Sequence, residues 1–464
     1  MSAPERPNLL FLMTDHQRAD SIGMVQDGVE VTPNLNRLAE RGAYFARCYN
    51  TCPLCVPART ALFTGRYPTA NGVVYNDWHG TTARERVPLQ QVLVEAGYRV
   101  GHVGVHHVRV DPDLRERVPY AAWVDQADHG DHLSEHGIPG GLPGGPDRFK
   151  RTVDERVEGE RKQRPYSNTE TAVWPHPAEH FKDLYWSRRA AEFLGAPADE
   201  PFALFVFLWA PHPPLVLPEP YATMFDPEAL ELPSNVGKPA EGEPPGRRRG
   251  AAAQIAEGVP MRQWRRVWAA HLGLTRLADD GIGTVLEALE ESGHADRTVL
   301  AFTVDHGEHL GQHRMYQKME MYEQAVRVPL IILEPGTEPS EHATPIWHLD
   351  VLPTLNEMLG LRAPARADGT SLADCVRGEA EPRRRTLFGQ YSGNPALGDI
   401  RRMALRGDWK YVYDPAGEPE LFDLSADPLE MHNLARSAER GGRLIDLHAH
   451  CAAFHERHGD WVDY

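Results

Sequence analysis

Asn8-Leu9-Leu10-Phe11-Leu12-Met13-Thr14-Asp15-His16 is a short apolar run that ends on an acid and an imidazole. Residues 8–14 are too few and too continuously apolar for an amphipathic helix, so they predict a strand buried on both faces. Outward from it, Thr32-Pro33 opens a helix, with Thr as N-cap, Pro at the first helical position and Gly42 just past the end. Leu35, Leu38 and Ala39 form its apolar stripe. Further apolar runs at 99–105, 202–209, 298–304 and 328–333 predict strands. A long helix over 264–292, carrying Trp268, Leu272, Leu277, Ile282, Val285 and Leu289, precedes the 298 strand. Strands alternating with helices predict an α/β fold: a large mixed, mainly parallel sheet sandwiched by helices.

The 464 residues suffice for one large domain and an appendage at about 150 residues per unit. The pattern changes near residue 384 to short strands, such as 410–413, and a final helix at 443–457. This divides the chain into a catalytic domain, 1–383, and a small C-terminal α+β subdomain, 384–464. Two segments, 126–182, rich in Gly, Pro, His and charge, and 227–262, with its run Pro244-Pro245-Gly246-Arg247-Arg248-Arg249-Gly250, read as long surface insertions, lids or mobile loops. Within them, Arg247-Arg248-Arg249 between Gly246 and Gly250 reads as a mobile exposed turn, and Asp128-His129-Gly130-Asp131-His132 with His136 as a solvated loop rather than a second metal site. Net charge is −17, from 49 Lys and Arg against 66 Asp and Glu. That argues against nucleic acid and anionic membranes as partners, and at first sight against an anionic substrate. The N-terminus is polar and no run of about 18 apolar residues occurs, so the expected location is cytoplasmic. Five cysteines are too few and too uneven for a disulfide framework. A homo-oligomer is compatible with the sequence.

Three constellations carry chemistry. Asp15-His16 stands where the first strand ends, the side of an open α/β sheet on which ligands bind. Asp305-His306-Gly307-Glu308 follows the 298–304 strand, so two hard oxygen ligands and an imidazole could converge on a divalent cation. Cys55-Val56-Pro57-Ala58-Arg59, followed by Thr64-Gly65-Arg66, puts a cysteine near a helix N-terminus, where backbone N–H groups favour an anion or a thiolate. The spacing Cys48-x3-Cys52-x2-Cys55 also matches a radical S-adenosylmethionine iron–sulfur motif, a distant alternative because the Pro57 and Arg59 pattern has no role in it.

Together with Thr32-Pro33-Asn34-Leu35, Ala210-Pro211-His212-Pro213-Pro214, Lys318, Tyr322-Glu323 and Asp427-Pro428-Leu429-Glu430, these motifs run through nearly the whole chain. In this order they resemble the formylglycine-dependent sulfatases of the alkaline phosphatase superfamily. The Asp-His pair at 305–306 is similar to the branch of choline sulfatases and phosphonate monoester hydrolases. The resemblance implies an alkaline-phosphatase-like fold and cleavage of a small anionic ester, a sulfate monoester. It further implies that a formylglycine-generating enzyme converts Cys55 to formylglycine, whose hydrate attacks while its second hydroxyl later collapses the covalent intermediate. One divalent ion, Mn2+ or Ca2+, is implied on Asp15, Cys55, Asp305 and His306. Arg59 would hold the diol, Lys318 the charged oxygens, and His212 the ester or leaving group; Asn76 would contact substrate, and His107 and His313 are further candidates. Where typical sulfatases have Gly-Lys-Trp-His, this chain has Gly104-Val105-His106-His107, so a lysine is replaced by Val105. Phosphonate monoester hydrolases also lack it, which makes a phosphonate monoester or phosphodiester hydrolase the alternative activity. The acidic surplus is then no bar to an acidic substrate, because part of it would bind a dication.

Overall fold

The computed structural model describes residues 6–77, 80–83, 86–198, 200–362 and 366–464; the polar residues 1–5 lie outside these. The first half supplies β1 (Asn8–Asp15), α1 (Pro33–Arg41), β2 (Ala43–Tyr49), α2 (Cys55–Thr64), β3 (Arg99–Gly104), β4 (Ala122–Val124) and α3 (Gln126–Glu135). The second half adds α4 (Lys182–Gly195), β5 (Phe202–Pro211), α5 (Met261–Glu291), β6 (Thr298–Val304), β7 (Arg327–Leu333) and β8 (Ser340–His342).

The strands form one sheet in the order β8-β2-β7-β6-β1-β5-β3-β4, with Ile346–Trp347 also paired to β2. From β6 to β4 the pairing is parallel. β7 instead runs antiparallel to both β6 and β2, and β2 is a strand that the apolar-run reading passes over because Arg47 interrupts it. All of β1 is buried, as a strand covered on both faces must be. Phe11 meets Phe63 of α2 at 5.2 Å, while α1, α4 and α5 pack as a second group of helices.

Pro33 starts α1 and Gly42 follows it, but the Thr32 side chain does not cap it. Its hydroxyl donates to the Ser21 carbonyl at 2.8 Å. The first amides of α1, those of Asn34 and Leu35, donate at 2.9 and 2.8 Å to Asp279 of α5, a cap that comes from across the fold.

The two expected insertions are built, not bare loops. Residues 126–182 hold α3, a hairpin of Lys150–Val157 and Glu160–Ser167 and the strand Thr171–Trp174, which pairs with Leu215–Pro218. The hairpin turns on Glu158 and Gly159, at φ 56° and 83°, the positive values a two-residue turn requires. In 227–262, Arg247 is buried and not on an exposed turn: it donates to Glu420 at 2.8 Å and to Asp414 at 2.9 Å. The segment is thereby pinned to the tail, where Thr386–Tyr391, Arg401–Arg406, Trp409–Tyr413 and Glu420–Asp423 form an antiparallel sheet against the helix Gly441–Arg457. Among the described residues no helix is long and apolar enough to cross a membrane.

Candidate active site

The site follows from strand register. β1 and β6 are parallel neighbours with Thr14 opposite Val304, so Asp15 and Asp305 leave the sheet side by side. Leu54 is extended and Cys55 is the first residue of α2. Arg59, one turn on, reaches both acids: Nη2 donates to Asp15 at 2.8 Å and Nε to Asp305 at 2.8 Å. All three side chains are fully buried.

Cys55 Sγ lies 3.2 Å from His306 Nε2, 3.7 Å from Asp15 Oδ1 and 2.7 Å from Lys318 Nζ. The Lys318 ammonium also approaches His16 Nε2 at 2.8 Å and His306 Nε2 at 3.1 Å. Lys318 sits between Gln317 and Met319, both at positive φ (67° and 83°), a strained backbone of the kind that functional sites retain.

His16, which the motif reading set beside Asp15 without a ligand role, is a further donor. Its own φ is 65°, which turns Nε2 into the cluster while Nδ1 is held by Glu308 at 2.8 Å. One ligand atom each from Asp15, His16, Cys55 and His306 lies within 4.8 Å of the others. Asp305, expected among the ligands, is engaged by Arg59, with Oδ2 3.7 Å from His306 Nε2. Two carboxylates, two imidazoles and the residue-55 side chain suit a divalent cation. The ammonium of Lys318 already stands among those donors as a positive charge.

Burial pushes Asp15 up to about 7, with Asp305 adding to it. Burial also opposes ionisation of Asp305, but His306 and Arg59 hold its carboxyl below the usual range. Burial, then Asp15, push the Cys55 thiol up, so the helix N-terminus does not yield the thiolate expected from sequence. Burial keeps His306 neutral, down to about 3, and does the same for His16, His107 and His212. Neutral imidazoles are the ligand form.

Of the other candidates, His212 rings against His16 at 4.2 Å and donates Nδ1 to the Pro213 carbonyl, leaving Nε2 directed elsewhere. His107 Nδ1 lies 4.0 Å from Asp15. Asn76 accepts from the Val56 amide at 3.0 Å and so caps the helix that carries Cys55. His313 stacks on Tyr322 at 3.8 Å, a placement that explains its burial without the cluster. Gly104, at φ 104°, approaches Phe207 so closely that a Cβ would lie 1.9 Å from its carbonyl; Val105 then donates its amide to that carbonyl at 2.8 Å and brings no charge. Cys48 and Cys52 are buried free thiols outside the donor group around Cys55, so among the described residues no three-thiol cluster forms for iron and sulfur. His129 and His132 lie on α3 and His136 caps it; they are not on a loop.

Residues 7–361 match the family described as Sulfatase, and residues 311–454 the one described as N-sulphoglucosamine sulphohydrolase, C-terminal. The chain is 28% identical to the multifunctional alkaline phosphatase superfamily protein PehA of Trinickia caryophylli, over 98% of this chain and 96% of that one. It is also 28% identical to a choline-sulfatase of Rhizobium meliloti, over 93% and 83% respectively. The phosphonate monoester hydrolase SpPMH from Silicibacter pomeroyi superposes with a TM-score of 0.80 at 25% identity, covering 98% of this chain and 96% of that one. Matched over residues 7–361, from its first strand past the last strand of the large sheet, the chain belongs to the sulfatase family of ester hydrolases, within the alkaline phosphatase superfamily.

Proposed function

We propose that this enzyme cleaves the S–O bond of a sulfate monoester, using one divalent ion and a formylglycine made from Cys55 by a formylglycine-generating enzyme. The observation that carries the reading is the position of Cys55, first residue of α2, inside a buried ring of Asp15, His16, Arg59, His306 and Lys318. When present, the ion and the formylglycine hydrate supply an attacking hydroxyl of lowered pKa and neutralise the ester. Asp15, Asp305, His306 and residue 55 would hold the ion, with His16 as a further donor. The imidazoles favour Mn2+ over Ca2+.

The chain's own residues do the rest. Arg59 orients both carboxylates and keeps positive charge beside residue 55. Lys318 binds the charged ester oxygens. His212, its Nδ1 committed to Pro213, offers Nε2 to the ester or the leaving oxygen. His107 borders Asp15 from another side, and Asn76 holds the start of α2 in place.

A second reading, phosphonate monoester or phosphodiester hydrolysis at the same site, is favoured by Val105 and by the TM-score of 0.80 to a phosphonate monoester hydrolase. Kinetics over aryl sulfate, aryl phosphonate and phosphodiester substrates with defined metals divide the two. Peptide mass spectrometry should show residue 55 lighter by about 18 Da than cysteine. An unmodified thiol in an active preparation would overturn the formylglycine mechanism under either reading.

A further inference from the structure

Beside the donor cluster lies a cavity of about 340 Å³, bounded by His212 and walled by Leu133, Trp174, Phe181 and Trp209. Much of this wall comes from the 126–182 segment. One cation faces it: Lys182, whose Nζ lies 4.4 Å from the centre of the Trp209 ring. The neighbouring Asp183 is turned away onto backbone, accepting from the Trp209 and Ala210 amides at 2.6 and 2.9 Å. Among the described residues no carboxylate stands within ion-pair distance of Lys182. Burial lowers its pKa to about 8, against the opposing pull of Asp183 and Asp15, neither of which forms an ion pair with it.

On the reading of this site as an ester hydrolase, we propose that the cavity receives the organic part of the ester and selects a ring-bearing group that carries its own negative charge, such as a carboxylate, which pairs with Lys182. The apolar walls exclude water around a ring, and a half-buried ammonium gains most from an anion brought in by the ligand. A quaternary ammonium is disfavoured, because it would bring a second positive charge into the cavity that the Lys182 ammonium already faces.

The test uses metal-loaded enzyme with 4-(sulfooxy)benzoate, phenyl sulfate and choline sulfate, and calorimetry of 4-hydroxybenzoate binding. Expected are the highest kcat/KM for 4-(sulfooxy)benzoate and the lowest for choline sulfate. Lys182→Met should lower the ratio of kcat/KM for the carboxylated over the plain ring by about tenfold or more, mainly through KM. It should weaken 4-hydroxybenzoate binding to a similar degree, and Lys182→Arg should restore both. Equal losses on the two rings, or better hydrolysis of choline sulfate, overturn the proposal. If no sulfate is hydrolysed, the sulfatase reading fails, and the calorimetry alone decides the role of Lys182.

A separate observation lies on α3, which carries Leu133 of the cavity wall. His132 and His136, four residues apart on α3 and its C-cap, meet His180, and one ring nitrogen of each lies within 4.8 Å of the others. His132 Nε2 is 3.0 Å from His180 Nδ1. His136 donates Nδ1 to the His132 carbonyl at 2.8 Å, which leaves Nε2 with its lone pair, and His129 ties the His180 carbonyl to α3 at 3.0 Å. The geometry points to a three-imidazole site for a borderline transition ion such as Zn2+, closed by water after a rotation of the exposed His136. Such an ion would clamp α3, one wall of the cavity, to the segment that leads into Lys182. Zinc titration by calorimetry should find one site that survives Asp305→Ala but is lost in His136→Ala. Zn2+ should also raise the unfolding temperature of Asp305→Ala and lose that effect once His136→Ala is added. Unchanged zinc stoichiometry in His136→Ala would overturn the assignment.

Discussion

Replacing Arg247 by Met removes one of two guanidiniums from a buried knot of charge. Arg247 is 0% exposed, with Glu420 at 2.8 Å, Asp414 at 2.9 Å and Glu320 at 3.6 Å. Arg401 reaches Glu320 and Asp414, each at 3.2 Å. Three carboxylates therefore share two cations, and none of their side chains is more than 4% exposed. Met restores some volume but leaves three desolvated acids facing one guanidinium. Breaking a buried pair in this way costs about 3–5 kcal/mol. Urea unfolding near neutral pH measures the loss. Burial already raises Glu320 above its ordinary value against the pull of Arg401 and Arg247, and losing one guanidinium raises it further. The variant then binds more protons folded than unfolded, and its deficit should shrink as pH falls through the carboxylate range. Glu320→Gln, which leaves two acids opposite two cations, should cost less than Arg247→Met. A loss below about 1 kcal/mol, or one that does not change with pH, would refute the view that this segment is held by buried charge.

Asp305→Ala should abolish both activity and the bound divalent ion at the Cys55 cluster, measured by metal analysis and kinetics; retention of both removes Asp305 from the site. Val105→Lys should not raise aryl sulfatase activity, because the residue's amide is tied to Phe207 and its side chain is packed in apolar surroundings; a large gain would show that the lost lysine alone limits the reaction. Burial lowers His271 to about 3 from 6.5, so only the unfolded chain protonates it below pH 6.5, and its contribution to stability is lost as pH falls. That amounts to about 2 kcal/mol at pH 5, and His271→Gln should flatten the acid limb of the stability curve by this amount; an unchanged slope would rule it out. Asn76→Ala should destabilise the protein by about 1 kcal/mol, as loss of a helix cap does, with a fall in kcat as Cys55 loses its support; a change in neither would leave Asn76 without a structural role.

What the sequence determined by itself is whatever depends on neighbours along the chain. The continuous apolar run before Asp15, the Pro and Gly that bound α1, and the one-turn spacing of Cys55 and Arg59 are local signals. Each had a single physical reading in strand burial, helix capping or helical period. Ordered motifs then placed Asp15, Cys55, Asp305, His306 and Lys318 in one family pattern. Tertiary structure decided the rest. The register of Thr14 opposite Val304 set the two acids side by side, and β7 reversed direction between β6 and β2. Asp279 reached across to cap α1, His16 joined the donor cluster, and Arg247 went from an apparent surface turn to a buried knot. These outcomes turn on partners far away in sequence. A charge is buried only when distant groups arrive to pair with it, and no local pattern of hydrophobicity encodes which groups those are.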